Sequence, residues 1–345
     1  MARIVYKKIK DYSGFIVYGD QCFERLNNSS HFERAVQLTA IVETGDRRGS
    51  IMAADGTAVT AGRCQHVLVY PRELSCEDFD PTDDQGSLAE LLCIMVREID
   101  DNSIILPLIE AFRDAGFVCD GDRIRHISEG QVTVEGKTIP YKENQVVNGS
   151  ILRTKLTAEF GKVPKGGKIH SKARKWVELF HDLFAHSDTQ EIQTRFEVES
   201  LKKRIEKTRV ALSPKRRPIS LTEIFYQGSS DFVFVWENGN TGLSPELDLA
   251  LCVFHSHSVN APSKARRELQ HVIQNQGMIP QDFGTYKEVR FARALLKHLA
   301  GVNYGRWNEQ ISGGRWARTR KAAMSMECWP KEFFLSRELM PTKFK

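Results

Sequence analysis

Residues 38–65 read LTAIVETGDRRGSIMAADGTAVTAGRCQ. An apolar run ends at a single carboxylate, Glu43, and passes at once into a Gly/Asp turn. Upstream, residues 30–43 set Phe32, Ala35, Val36, Leu38 and Thr39 at helical spacing, behind a serine able to cap the first turn. Gly45 and Gly49 bracket the exit from that helix. Downstream, Asp55-Gly56 carries the turn chemistry of a short hairpin over 50–59, and Thr60-Ala61-Gly62 leads on to Gln65. Residues 61–70 are expected to return to helix, stopped by Pro71. The order helix, acid, hairpin sets the expectation of a mainly α protein, α+β in class, with small β pieces.

Outward from this stretch, apolar periodicity gives helices at 88–99, 104–115, 173–185, 189–210, 265–274, 286–299 and 313–327. Alternating residues around Glu135-Gly136 give a hairpin within 123–141. Residues 150–168 are rich in Gly and Lys and read as a loop, and SPKRRP (213–218) breaks the helix before it. Segments 221–225, 231–236 and 247–254 are apolar, with GNTG (239–242) as a turn; the last of them reads equally as helix or strand. There is no internal repeat.

A chain of 345 residues exceeds one ordinary core, so it holds either one large domain with insertions or two domains. Its 41% hydrophobic and 27% charged residues are those of a globular protein, and no apolar run approaches the roughly 18 residues of a membrane helix. MARIVYKKIKDYSGF lacks the apolar centre and cleavage site of a secretory signal, so synthesis in the cytoplasm is expected. Seven scattered cysteines form no CxxC pair and read as reduced thiols; Cys64, Cys93 and Cys252 lie in apolar runs, as core residues do. Net charge is +5, and residues 286–345 hold thirteen Lys/Arg against five Asp/Glu. Such a basic end suits an anionic polymer, cell-wall glycan or nucleic acid, or simply a solvated helix face.

Glycoside hydrolysis needs a carboxylic acid to protonate the leaving oxygen, and a second group to position water or stabilise an oxocarbenium-like state. The acid works best where burial lets it keep its proton. Glu43, closing an apolar helix face, stands where such an acid would stand. Asp55 across the hairpin, or Thr60 through a hydrogen-bonded water, is the candidate second group. A carboxyl separation of about 5 Å would suit a retaining route and about 6.5–9.5 Å an inverting one.

The pattern E-T-G-x-x-x-G-x-x-x-x-x-D-G-x-x-x-T-x-G-x-x-Q resembles the catalytic helix and hairpin of the lysozyme-like superfamily, in its bacterial and phage peptidoglycan-hydrolase branch. YGRWNEQISGGRWARTRKAAM (304–324) is similar to the closing helices of that superfamily. The resemblance implies a two-lobed helical core with a β-hairpin at the active site. Residues 1–119 would form the catalytic lobe, 120–280 an insertion, and 281–345 the helices that complete the core. Glu43 would be the general acid, with Asp55 or Thr60 assisting and Gly62 and Gln65 shaping the sugar-binding floor.

The implied activity is hydrolysis of peptidoglycan glycan strands, without metal or cofactor, by a phage virion-associated or lysis enzyme acting at the cell wall. Its partners would be the wall and other virion proteins, with no membrane or nucleic-acid partner. The alternative is a structural tail or baseplate protein that keeps the scaffold without the activity. Two positions depart from the pattern: Asp46 stands where many relatives have a second glycine, and Arg63-Cys64 replaces an apolar pair.

Phe254-His255-Ser256-His257-Ser258 resembles the H-S-H motif of zinc-dependent JAMM isopeptidases, in which two histidines on an extended segment share a zinc. The third ligand expected after it is missing, so a polar corner before a helix at 265 is the expected reading. His181 and His186, five apart, do not share a helix face as zinc spacing requires. Trp307 and Trp316, among basic residues, would suit base stacking, but are expected in the core.

Overall fold

The computed structural model describes residues 5–8, 15–18, 22–23, 26, 30–53, 58–70, 85–160, 171–211, 215, 217–225, 244–260, 262–276, 285–301 and 314–335. It is mainly helical with small antiparallel β pieces. The chain divides into two compact units: residues 1–23 with 43–196, and residues 24–42 with 197–345. The sequence expectation drew its divisions at 119/120 and 280/281 instead.

The first unit opens on a five-stranded antiparallel meander: β1 (Val5–Lys8), β2 (Phe15–Tyr18), β3 (Ile51–Ala53), β4 (Val59–Ala61) and β5 (His66–Val67). The hairpin expected over 50–59 is present as β3 and β4, with Met52 opposite Thr60. Its neighbours come from segments in which the letters alone suggested no strand. VYKK and FIVY are rich in the β-branched and aromatic residues that suit a pleated surface, and β2 adds to β3 with Ile16 opposite Met52. Residues 61–70 form a turn and β5 rather than a helix. Gly62 at φ +87° and Gln65 at φ +59° are left-handed, which no α-helix permits, and β5 pairs back on β4.

Helices α2 (Ser87–Glu98), α3 (Asn102–Asp114), α4 (Gly149–Phe160) and α5 (Ser171–Ala185) supply the core of this unit. On α2, Leu88, Leu91, Leu92 and Met95 are buried at i, i+3, i+4, i+7; on α5, Trp176, Val177, Phe180, Leu183 and Phe184 continue the same logic. Phe112 of α3 meets Trp176 edge to face, with ring centroids 5.5 Å apart. Asp101 caps α3 by accepting from the Ser103 N–H at 2.9 Å.

Helix α4 corrects the expectation of a loop over 150–168. The Gly/Lys-rich letters lie at 161–168, outside the described residues. Upstream, Ile151, Leu152 and Leu156 are buried, and the Asn148 side chain accepts from the Ser150 N–H at 2.9 Å. Two hairpins intervene, β6 (Phe117–Asp120) with β7 (Arg123–His126), and β8 (Gly130–Val134) with β9 (Lys137–Tyr141). The buried Gln85 amide ties the first to the core. Its nitrogen donates to the Ile124 and Val147 carbonyls at 2.7 and 2.8 Å, and its oxygen accepts from the Ile124 N–H at 3.0 Å.

The second unit is helical. Helix α1 (His31–Thr44) contributes all but its last two residues to it, and α6 (Ser187–Lys207) its latter half. A short pair, β10 (Arg209–Val210) with β11 (Ile219–Ser220), leads to α7 (Leu221–Phe225). Helix α8 (Pro245–Asn260) packs against α9 (Pro262–Gln276) and α10 (Thr285–Gly301), followed by α11 (Gly314–Met326) and α12 (Glu332–Leu335). Residues Leu247 to Ser258 of α8 are all buried, and a helix buried on every side shows no face in its letters, which read as helix or strand. The segment 231–236 and the GNTG turn lie outside the described residues. No helix among the described residues is long and apolar enough to cross a membrane.

Candidate functional site

Glu43 is the penultimate residue of α1 and is half-buried. The chain leaves the helix through Gly45 (φ +68°) and Asp46 (φ +58°), then Gly49 (φ +63°), and enters β3. Three left-handed residues in five end the helical path. Thr44, next to the acid, donates its hydroxyl to the Arg63 carbonyl at 3.2 Å. That bond brings the acid-bearing helix end to the Gly62–Gln65 turn, two features that lie nineteen residues apart in the chain.

Thr60 is buried in β4, opposite Met52 on one side and Val67 on the other. Gly62 is buried too; a Cβ there would stand 3.3 Å from the Phe184 ring and 3.4 Å from Gln193. Gln65 folds its amide nitrogen back toward the Gly62 and Ser50 carbonyls at 3.3 and 3.4 Å. Asp55 lies outside the described residues.

Asp46, at the exit of the helix, and Arg63, in the turn after β4, meet each other. Arg63 Nε donates to Asp46 Oδ1 at 2.8 Å and Nη2 donates to Oδ2 at 3.1 Å. Arg63 is only 1% exposed, and its guanidinium also lies 4.8 Å from the centroid of the Phe23 ring. Nη1 donates to the Thr194 hydroxyl at 3.2 Å, and the Arg63 N–H donates to Gln193 Oε1 at 3.2 Å. A buried cation requires a buried anion, so the charged residue at 63 and the charged residue at 46 are one feature.

No family model, no curated protein and no solved structure matches this chain.

The second unit contains a buried polar hub that sequence reasoning missed. Asp248, fully buried on α8, lies 2.7 Å from His31 Nδ1 through Oδ1. Arg34 Nη2 donates to the same oxygen at 2.9 Å and its Nε donates to Oδ2 at 3.0 Å, while the Trp329 indole N–H donates to Oδ2 at 2.7 Å. Burial by itself would raise the Asp248 carboxyl; the charges and hydrogen bonds of His31 and Arg34 hold it below the ordinary carboxylate range.

The ligand atoms of His31, Asp248 and Cys252 fall within 4.8 Å of one another, the one such trio among the described residues. This donor set does not fit a metal. Each Asp248 oxygen already has two donors, which uses the roughly four lone-pair sites of a carboxylate. Arg34 places a fixed positive charge where a cation would lie, and burial pushes the Cys252 thiol well up, away from the thiolate a metal needs.

His255 and His257 lie on α8, not on an extended segment or a corner before the next helix. At about 100° per residue, an i, i+2 pair points to nearly opposite sides of a helix and cannot share one zinc. Burial lowers both well below the ordinary imidazole range, with His31 and Arg204 adding to the effect at His255 and Arg315 at His257. His181 is buried, its Nδ1 3.0 Å from the Gly49 carbonyl, and His186 is half-buried. Trp316 is 7% exposed within the core of its unit, and Trp307 lies outside the described residues. The Cys119 thiol is held well up by its hydrogen bond with Cys93 and by burial, which leaves it a poor nucleophile.

One further titratable group is displaced. His126, at the end of β7, is 1% exposed and stacks on Tyr141 with centroids 3.8 Å apart and planes 8° off parallel. Burial, with the Lys155 ammonium adding to it, lowers its pKa from 6.5 to about 4. The unfolded chain therefore takes this proton near pH 6.5 and the folded one only near pH 4. Stability from the neutral ring is complete above pH 6.5 and is lost as pH falls toward 4. His126→Phe keeps a flat ring on Tyr141, so its melting temperature should fall less than that of the wild type between pH 7 and pH 4. Equal falls in scanning calorimetry would refute this assignment.

Proposed function

We infer that the chain is a peptidoglycan hydrolase of lysozyme-like, two-lobed design, cutting the glycan strand with Glu43 as general acid. One observation carries this reading: the Thr44–Arg63 hydrogen bond holds the acid-bearing end of α1 to the T-A-G-x-x-Q turn, beside the β3–β4 hairpin. An acid on a helix end facing a small antiparallel element is the arrangement in which the glycosidic oxygen of a bound strand can be protonated from one side. Thr60 or Asp55 would then orient water or stabilise the positive ring carbon. The Asp46–Arg63 pair supports the reading from another direction, because the two residues that break the family pattern compensate each other. The chain would reach the wall as part of a phage virion or through a lysis pathway.

A second reading, a structural tail or baseplate protein on the same scaffold, is favoured by the floor residues. Gly62 is closed off by Phe184 and Gln193, and Gln65 turns its amide to the backbone. Clearing of cell-wall sacculi by purified protein separates the two. On the hydrolase reading the wild type lowers turbidity and Glu43→Gln does so at least about 100-fold more slowly, the usual loss for a general acid. On the scaffold reading neither protein clears the suspension.

A further inference from the structure

Well downstream of Glu43 in the chain, the first unit gathers three residues whose donors outnumber their acceptors. Lys155 on α4 donates to the Tyr141 hydroxyl oxygen at 3.3 Å. Its ammonium lies 5.1 Å from the ring centroids of both Phe117 and Tyr141. The His126 ring lies flat against Tyr141, and neither of its nitrogens has a hydrogen-bond partner among the described residues.

An ammonium has three N–H groups, and one reaches Tyr141. The Tyr141 hydroxyl receives that bond and keeps its own proton to give. The neutral His126 ring adds one more N–H. No carboxylate meets Lys155 among the described residues, so the cluster carries one uncompensated positive charge and several unused donors. The His126 ring is buried, and buried polar atoms are normally satisfied, which makes an unpartnered ring beside this ammonium informative.

Two glycines stand close to the polar tips. Gly130 pairs with Tyr141 across the β8–β9 hairpin, and a Cβ there would stand 2.7 Å from the Tyr141 hydroxyl. Gly116, at φ +89° after α3, would place a Cβ 3.2 Å from the Lys155 ammonium. A side chain at either position would cover a donor.

We propose that Lys155 and Tyr141, backed by the His126 ring, form a binding site for a single carboxylate group. The charge fixes the class: one ammonium beside a neutral histidine matches a monoanion, and a dianionic phosphate would remain half-compensated. Such a carboxylate can come from a free small acid or from the end of a peptide chain. The site is independent of Glu43 and of glycan cleavage.

The test uses the full chain with labelled histidines, titrated with acetate, N-acetyl-alanine or inorganic phosphate at constant ionic strength, while the His126 ring signals are followed by NMR. Saturable shifts with acetate or N-acetyl-alanine are expected, in about the millimolar range for so few contacts. Lys155→Met should weaken them about tenfold or more, and Tyr141→Phe, which keeps the ring stack, by a smaller factor. Comparable affinity for the two acids assigns a free acid; tighter N-acetyl-alanine binding assigns a chain end. No saturable shift in the wild type, unchanged affinity in both variants, or tighter binding of phosphate than of either acid would overturn the proposal.

Discussion

Asp248→Ala is expected to destabilise the unit built from residues 24–42 and 197–345 by about 3–5 kcal/mol, the usual consequence of removing one partner from a buried ion pair. The reason is the number of groups that depend on one carboxylate. His31 and Arg34 of α1 and Trp329 near the C-terminal end all direct polar atoms at Asp248, and His31 and Asp248 are fully buried. Alanine leaves a guanidinium, an imidazole and an indole N–H facing a void that none of them can fill. Asp248→Asn keeps the shape and one acceptor, so it should lose less than alanine while still leaving Arg34 without its anion. Urea unfolding followed by far-UV circular dichroism reads the difference. A midpoint for Asp248→Ala within error of the wild type would show that the hub contributes nothing to folding.

The second large effect is a coupling. Asp46→Gly and Arg63→Met should each destabilise the first unit strongly, again by about 3–5 kcal/mol, because each strands a buried charge. The double variant should lose less than the sum of the two by at least about 2 kcal/mol. Glycine also accepts the left-handed φ of +58° at position 46 without the cost that a side chain brings. Strictly additive losses would mean that Asp46 and Arg63 do not stabilise the unit as a pair.

Much of the architecture was legible in the letters wherever periodicity was clean. The amphipathic spacing of α2, α3 and α5 and the Asp55-Gly56 letters between β3 and β4 are local signals, and local signals survive folding. What escaped the letters is non-local. The strands VYKK and FIVY are too short to announce themselves: VYKK pairs with FIVY, and FIVY in turn with a hairpin more than thirty residues away. Segment 61–70 is apolar enough for a helix, but two residues in left-handed conformations override that tendency. Helix α8 is buried all round from Leu247 to Ser258, so its letters carry no period.

The same limit applies to the sites. The helix end that carries Glu43 and the turn after it could be read from contiguous residues. The Asp248 hub could not, because His31, Arg34 and Trp329 come from opposite ends of the chain; the one available signal was an aspartate inside an otherwise apolar run. The H-S-H letters, read as a polar corner before the next helix, lie instead inside α8, where an i, i+2 spacing scatters side chains.

The most direct test of glycan cleavage by Glu43 is the appearance of new reducing sugar ends in purified sacculi incubated with wild-type protein, Glu43→Gln and Glu43→Asp. General acid catalysis by Glu43 predicts steady release by the wild type, a loss of at least about 100-fold in Glu43→Gln, and partial activity in Glu43→Asp, whose shorter side chain keeps an acid slightly out of place. Reducing ends released equally by the wild type and Glu43→Gln, or by neither, would contradict it.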